Sequence, residues 1–167
     1  KNVLTHDFFD QNISYTHSKR YSMVNYPDIP MATPTFKQVY DELEEEHHDL
    51  MLLVEKVRGL HSTVGLTPLL DRLHASLIKH FSHEQFPGGL YERMGAHGSR
   101  YHEELKILVQ DHCVILSAVR ALLERSRVAV RNDEAALLDN LAEVLTHLHD
   151  HEQREHALAD KLMARSE

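Results

Sequence analysis

Two segments of this sequence carry a histidine and a glutamate four residues apart, His80-Phe81-Ser82-His83-Glu84 and His151-Glu152-Gln153-Arg154-Glu155. On a helix, such positions lie one turn apart on the same face. An imidazole there can bind one metal ion while the carboxylate reaches a second. Each pair is preceded by another histidine segment, Glu46-His47-His48-Asp49-Leu50 and Asp111-His112-Cys113-Val114-Ile115, and these two echo each other. The unit is a histidine helix followed by a His-x-x-x-Glu helix, used twice. Imidazole and carboxylate donors suit iron, manganese or zinc. The single cysteine, Cys113, rules out an internal disulfide and argues against a thiolate zinc site.

The elements that must carry these residues follow from apolar stripes with steps of three and four, the spacing of a bundle core. The first runs Phe36, Tyr40, Leu43, His47, Leu50, Val54, Val57; the second Leu66, Leu70, Leu73, Leu77, His80, Glu84. The third runs Tyr101, Leu105, Leu108, His112, Ile115, Val119, Leu122; the fourth Leu137, Leu141, Val144, Leu148, His151, Glu155, Leu158, Leu162. Helices are predicted over Thr35–Arg58, Thr67–Gln85, Ser99–Arg127 and Asn132–Arg165. Thr35 and Thr67 are the expected caps, Pro68 suits a first turn, and Gly59 ends the first helix. Pro87-Gly88-Gly89 closes the second, with a short helical piece over Leu90–Met94. Short connections make neighbours antiparallel. The expected fold is all-α: an antiparallel up-down four-helix bundle over residues 36–165. Residues 1–35 are polar, closed by Pro27, Pro30 and Pro34, and read as an extended N-terminal arm; Met31 is a second candidate for the natural start.

A histidine interrupts every stripe, and two stripes also contain a glutamate. A buried carboxylate without a partner costs several kcal/mol or changes protonation. Six polar groups at seam positions of four helices need a common partner, and a cationic metal centre supplies it. The candidate ligands are His47, His80, Glu84, His112, His151 and Glu155. His48 lies about 100° round the helix from His47. His74, His83, His147, His149 and His156 also fall off the stripes and read as surface or supporting residues. His147 is the nearest to an exception, standing four residues before His151.

The remaining composition excludes other classes. Net charge is −8 with mixed signs, which does not suit a nucleic-acid surface. No apolar run approaches the roughly 20 residues that span a bilayer, and none reads as a signal peptide. A protein without a membrane segment, located in the cytoplasm, is expected. The 15 histidines are scattered through helical segments and so do not form an affinity tag.

The order His, His-x-x-x-Glu, His, His-x-x-x-Glu resembles the hemerythrin-like cation-binding (HHE) domain over about Phe36 to Met163, and bacterial members in particular, given His80-Phe81-Ser82-His83-Glu84 followed by Gly88-Gly89-Leu90. The resemblance implies a non-haem di-iron centre with an oxo or hydroxo bridge. His47 and His80 would bind one iron, His112 and His151 the other, and Glu84 and Glu155 would bridge them; zinc or manganese fits the same donors. Oxygen-carrying hemerythrins have a fifth histidine one turn from the third-helix histidine, where this chain has Leu108 and Leu116. Their second carboxylate is an aspartate at five-residue spacing; here it is Glu155 at four. The chain looks closer to four-histidine relatives, among them bacterial iron–sulfur cluster repair proteins. Those carry an N-terminal cysteine-containing domain that is not seen here, so repair activity is not implied. Leu50, Leu77, Ile115 and Leu148 would flank the metals and keep water out. The expected function is binding of O₂ or a related small molecule, NO or peroxide, for sensing, storage or detoxification. The alternatives are a di-iron redox enzyme or iron-handling protein acting on peroxide or nitrogen oxides, and a bundle with a single structural metal such as zinc. The sequence does not set an oligomeric state.

Overall fold

The computed structural model describes residues 34–96, 101–128 and 133–164. The chain divides into two units, Lys1–Ala32 and Thr33–Glu167. The first lies outside the described residues, and with it nearly all of the expected arm. In the second, all regular structure among the described residues is helical: α1 (Phe36–Arg58), α2 (Leu66–Gln85), α3 (Leu90–Ala96), α4 (His102–Val128) and α5 (Glu134–Met163). None of these helices is long and apolar enough to cross a membrane.

Local chemistry explains most of the boundaries. Thr35 begins α1 with a reciprocal cap: its hydroxyl accepts from the Gln38 amide at 3.2 Å, and Gln38 Oε1 accepts from the Thr35 amide at 2.7 Å. Gly59 ends α1 as expected. The start of α2 differs from expectation. Gly65, at φ 79°, is the N-cap and makes no side-chain cap bond. The Thr67 hydroxyl instead lies 2.9 Å from Ser126 Oγ on α4, so a contact between helices has taken the group expected to cap one. Pro68 still sits in the first turn, where its missing N–H costs nothing. α2 ends at Gln85, and Gly88 at φ 83° turns the chain into α3. α4 begins at His102, after Tyr101, and runs one residue past Arg127. Leu90–Ala96 is longer than the expected Leu90–Met94, and α5 starts at Glu134, two residues later than expected.

The four long helices pack together: α1 on α2, α2 on α4, α4 on α5 and α5 on α1, while α3 packs against α1, α2 and α4. Two apolar clusters fill the interior. One gathers Leu50–Val57 of α1, Leu66–Phe81 of α2, Ile115–Leu123 of α4 and Leu137–Leu148 of α5. The other gathers Val39–Leu43 of α1, Leu90–Met94 of α3, Tyr101–Leu108 and Leu158–Leu162 of α5. Leu50, Leu77, Ile115 and Leu148 all belong to the first. Between the clusters, in the order of each chain segment, come the polar seam residues. On α5 the buried apolar residue is Leu145, with Val144 only half-buried, so the inward face is turned slightly from the expected stripe.

Candidate metal centre

Each long helix contributes to the layer between the clusters. α1 provides His47, α2 His80 and Glu84, α4 His112, and α5 His151 and Glu155; all six are buried. One ligand atom from each of Glu84, His112, His151 and Glu155 falls within 4.8 Å of the others, and His47, His80 and Glu84 form a second such group. Glu84 belongs to both. Its Oε1 lies 2.8 Å from His80 Nε2 and its Oε2 3.1 Å from His112 Nε2. Glu155 also faces both ways, with Oε1 3.8 Å from His47 Nε2 and Oε2 accepting from the Tyr91 hydroxyl at 2.7 Å. His112 Nε2 and His151 Nε2 are 3.0 Å apart.

A surrounding shell orients these rings. Phe81 stacks on His112 with centroids 3.7 Å apart and planes 5° from parallel, and the Gln85 amide meets His112 Nδ1. Asp111 Oδ2 stands 3.7 Å from His151 Nδ1, and Asp111 is held by Arg154 at 2.6 Å and His147 at 3.2 Å. Glu46 stands 3.9 Å from His80 Nδ1, and it is held by Lys79 at 2.8 Å and His83 at 3.0 Å. At these distances neither carboxylate is hydrogen-bonded to its histidine, but each stands where a partner for the outer nitrogen of a ligand histidine belongs. His83 and His147 therefore stand one step outside the cluster, in supporting positions. His48 and His149 are exposed. A surface groove of about 330 Å³, with Glu46, Leu50, Lys56, Arg72 and Lys79 among its walls, extends to His80.

Three residues of the layer escaped the sequence reading as site members. Glu152 is only 4% exposed, and its Oε2 lies 2.5 Å from His47 Nε2. Its signal was present: Leu145, Leu148, Glu152, Glu155 and Ala159 follow steps of three and four, and all are buried. Tyr91 is buried with its hydroxyl between Glu155 and His112 Nε2, the latter at 2.9 Å. It sits on α3, too short for periodicity to mark a face. His156, read as off the stripe, is half-buried, 4.7 Å from the His47 ring by centroid, with Nδ1 2.5 Å from the Tyr40 hydroxyl.

The cluster is electrostatically unsettled without cations. Burial pushes the Glu84 carboxyl up, but the adjacent His112 and His80 rings outweigh it and hold it at about 2. Burial pulls His80 down, yet Glu152 and Glu84 carry it up to about 10. Burial also raises Glu152, and the His47 and His80 rings bring it below the ordinary carboxylate range. Glu155 is raised well above that range by burial and by the charges of Glu84 and Glu152. Burial and the nearby His112 push His151 down to about 4. Many of the donor atoms, including both nitrogens of His47 and His80 and both oxygens of Glu84 and Glu152, have no hydrogen-bond partner although they are fully buried. They approach one another without donor-to-acceptor alignment. Each such atom costs about 1–3 kcal/mol, against a total stability of about 5–15 kcal/mol for an ordinary domain. Buried histidine and glutamate groups of this kind could hold metal ions. Comparison with protein-family models, with curated proteins and with solved structures gives no match.

Proposed function

We propose that this chain is a hemerythrin-like di-iron protein that binds O₂ or a related small molecule, NO or peroxide, for sensing, storage or detoxification. The observation that carries the reading is Glu84, whose two oxygens face histidines of two separate donor groups. One carboxylate shared between two groups suits a pair of ions better than a single ion. The donor chemistry fits: imidazoles and carboxylates, with Cys113 exposed. His47 and His80 would hold one ion, His112 and His151 the other, with Glu84 and Glu155 between them. The order in which the helices pass the two apolar clusters supports an antiparallel up-down bundle. α1 and α4 run from the second cluster to the first, and α2 and α5 leave the first.

Two irons at this site would supply electrons to a small molecule as both pass from Fe(II) to Fe(III). The chain's own part is to hold and shield. Leu77, Ile115 and Leu148 are fully buried beside the layer and keep bulk water from it. Tyr91 presents a buried hydroxyl that already donates to Glu155, which fixes one oxygen of that carboxylate. Asp111 and Glu46, themselves held by Arg154 and Lys79, stand 3.7 and 3.9 Å from the outer nitrogens of His151 and His80.

The test is metal analysis joined to spectroscopy. Protein grown with iron should contain two irons per chain. Its absorption should change between reductant and air, and the reduced form should respond to O₂, NO or peroxide. One metal per chain, or full iron with no response to any of the three, overturns the reading.

A further inference from the structure

We propose that Glu152 binds one ion of the pair and not the other, so that the two positions are unequal and fill in order. The position formed by His47, His80 and Glu152 fills first, and the position formed by His112 and His151 second. The inference rests on the two-ion reading above and adds to it a direction.

Glu152 lies between two imidazoles on one side of the layer. Its Oε2 is 2.5 Å from His47 Nε2 and its Oε1 3.8 Å from His80 Nε2. The side chain is 6% exposed, and neither oxygen has a hydrogen-bond partner. Among the described residues no lysine or arginine forms an ion pair with it. A carboxylate buried this far from water needs positive charge beside it, and among the described residues the groups that reach it are the imidazoles of His47 and His80, themselves metal donors. In the two-ion reading Glu84 and Glu155 are shared between the sides: Glu84 belongs to both donor groups, and Glu155, grouped with His112 and His151, turns its Oε1 to within 3.8 Å of His47 Nε2. Among the described residues Glu152 has no carboxylate counterpart opposite: there the third polar group is the Tyr91 hydroxyl, a neutral donor already committed to Glu155.

The same side has a further nitrogen in reserve. One ligand atom from each of His47, Glu152 and His156 lies within 4.8 Å of the others. The Tyr40 hydroxyl, 2.5 Å from His156 Nδ1, fixes that ring. With both of those carboxylates shared, the first position is offered one more negative donor, Glu152, and one more neighbouring imidazole, His156, than the second. A carboxylate donor adds charge as well as a bond. Its loss should cost at least the roughly 10–100-fold in affinity that follows removal of an outer partner of a metal site.

The experiment strips the full chain with a chelator and titrates it with Fe(II) under anaerobic conditions, with a parallel Co(II) titration read by visible absorption. The wild type should take two ions in two resolved steps, the first at least about 10-fold tighter. Glu152→Gln keeps the shape and removes the charge; it should abolish the lead of the first step and leave the second. His112→Ala should lose the second step and keep the first at wild-type affinity, which tests the order even where Glu152→Gln fails to fold. Two equal steps in the wild type, unchanged steps in Glu152→Gln, or loss of the first step in His112→Ala would overturn the inference and leave the two-ion reading standing. Uptake of one ion or none by the wild type overturns both.

Discussion

Glu84 is wholly buried, and its two oxygens point to different helices, one to His80 on its own helix and one to His112 on α4. Removing it would take a donor from both proposed ion positions at once. Glu84→Ala should therefore empty the site, while His83→Ala, which alters an exposed ring in contact with Glu46, should leave metal content nearly unchanged. Elemental analysis of the two purified variants decides this, and the opposite pattern would mean the helix register is displaced by one residue. Protonation gives a second expectation. In the stripped chain His80 is raised to about 10 and Glu155 is raised, so their stabilising protonated forms are lost as pH climbs, for His80 between 6.5 and about 10. His151, lowered to about 4, and Glu84, lowered to about 2, act in the opposite sense, but their gains are complete by about pH 6.5. Only falling contributions remain above that, so the unfolding temperature of metal-free protein should drop from pH 6.5 towards 10. A flat or rising profile would contradict the arrangement of charges. Loaded protein should instead be sensitive to acid, because protons compete with ions for imidazole. The six candidate residues were legible as polar breaks in apolar stripes. Glu152 was not, because a single line of steps through Leu148, His151 and Glu155 leaves it aside, whereas the buried face of α5 is wide enough to take His151 and Glu152 side by side.

Helix positions were readable where the capping chemistry was local and lost where contacts between helices took over. Thr35 caps α1 because the Gln38 amide, three residues on, meets its hydroxyl; Thr67 fails to cap α2 because Ser126 claims it. The turn after α2 shows how backbone geometry sets the site. Gly89 passes so near the end of α2 that an added Cβ would sit 2.4 Å from the His83 carbonyl oxygen and 2.6 Å from that of Glu84. Those are backbone atoms and cannot step aside as a side chain would. Gly89→Ala should cost about 2 kcal/mol or more in denaturant unfolding, since the turn that delivers Tyr91 to Glu155 must open. An unchanged midpoint would show that the turn tolerates a wider path. The existence of α3 could be read from the sequence, but its part in the site could not. Two turns of helix carry no period by which to tell an inward face.

Across the whole unit, a polar layer divides the apolar interior into two clusters, and neither cluster can close without burying the layer. The fold therefore tolerates the layer only at a cost that bound ions would offset. At a free ion concentration a thousandfold above Kd, binding adds about 4 kcal/mol to the folded state, or ~10 °C in unfolding temperature for a unit of this size. Chelation should lower the melting point by that order and Fe(II) should restore it; an indifferent melting curve would count against a metal in the layer. The four-helix packing was legible because apolar steps of three and four recur in long segments. The division into two clusters was legible only in outline, because which residues meet across helices depends on pairing that no single stripe records.

Glu84, His151 and Glu155 are 0% exposed. The surface groove would lead a hydrated cation to His80, and to pass on to them it must shed its water. Capture then waits for the helices to part for a moment, and escape waits for the same event. Escape would keep the tempo of the protein's own breathing, capture would need an opening and an ion to coincide, and the bundle would behave as a latch whose holding time is its own opening time.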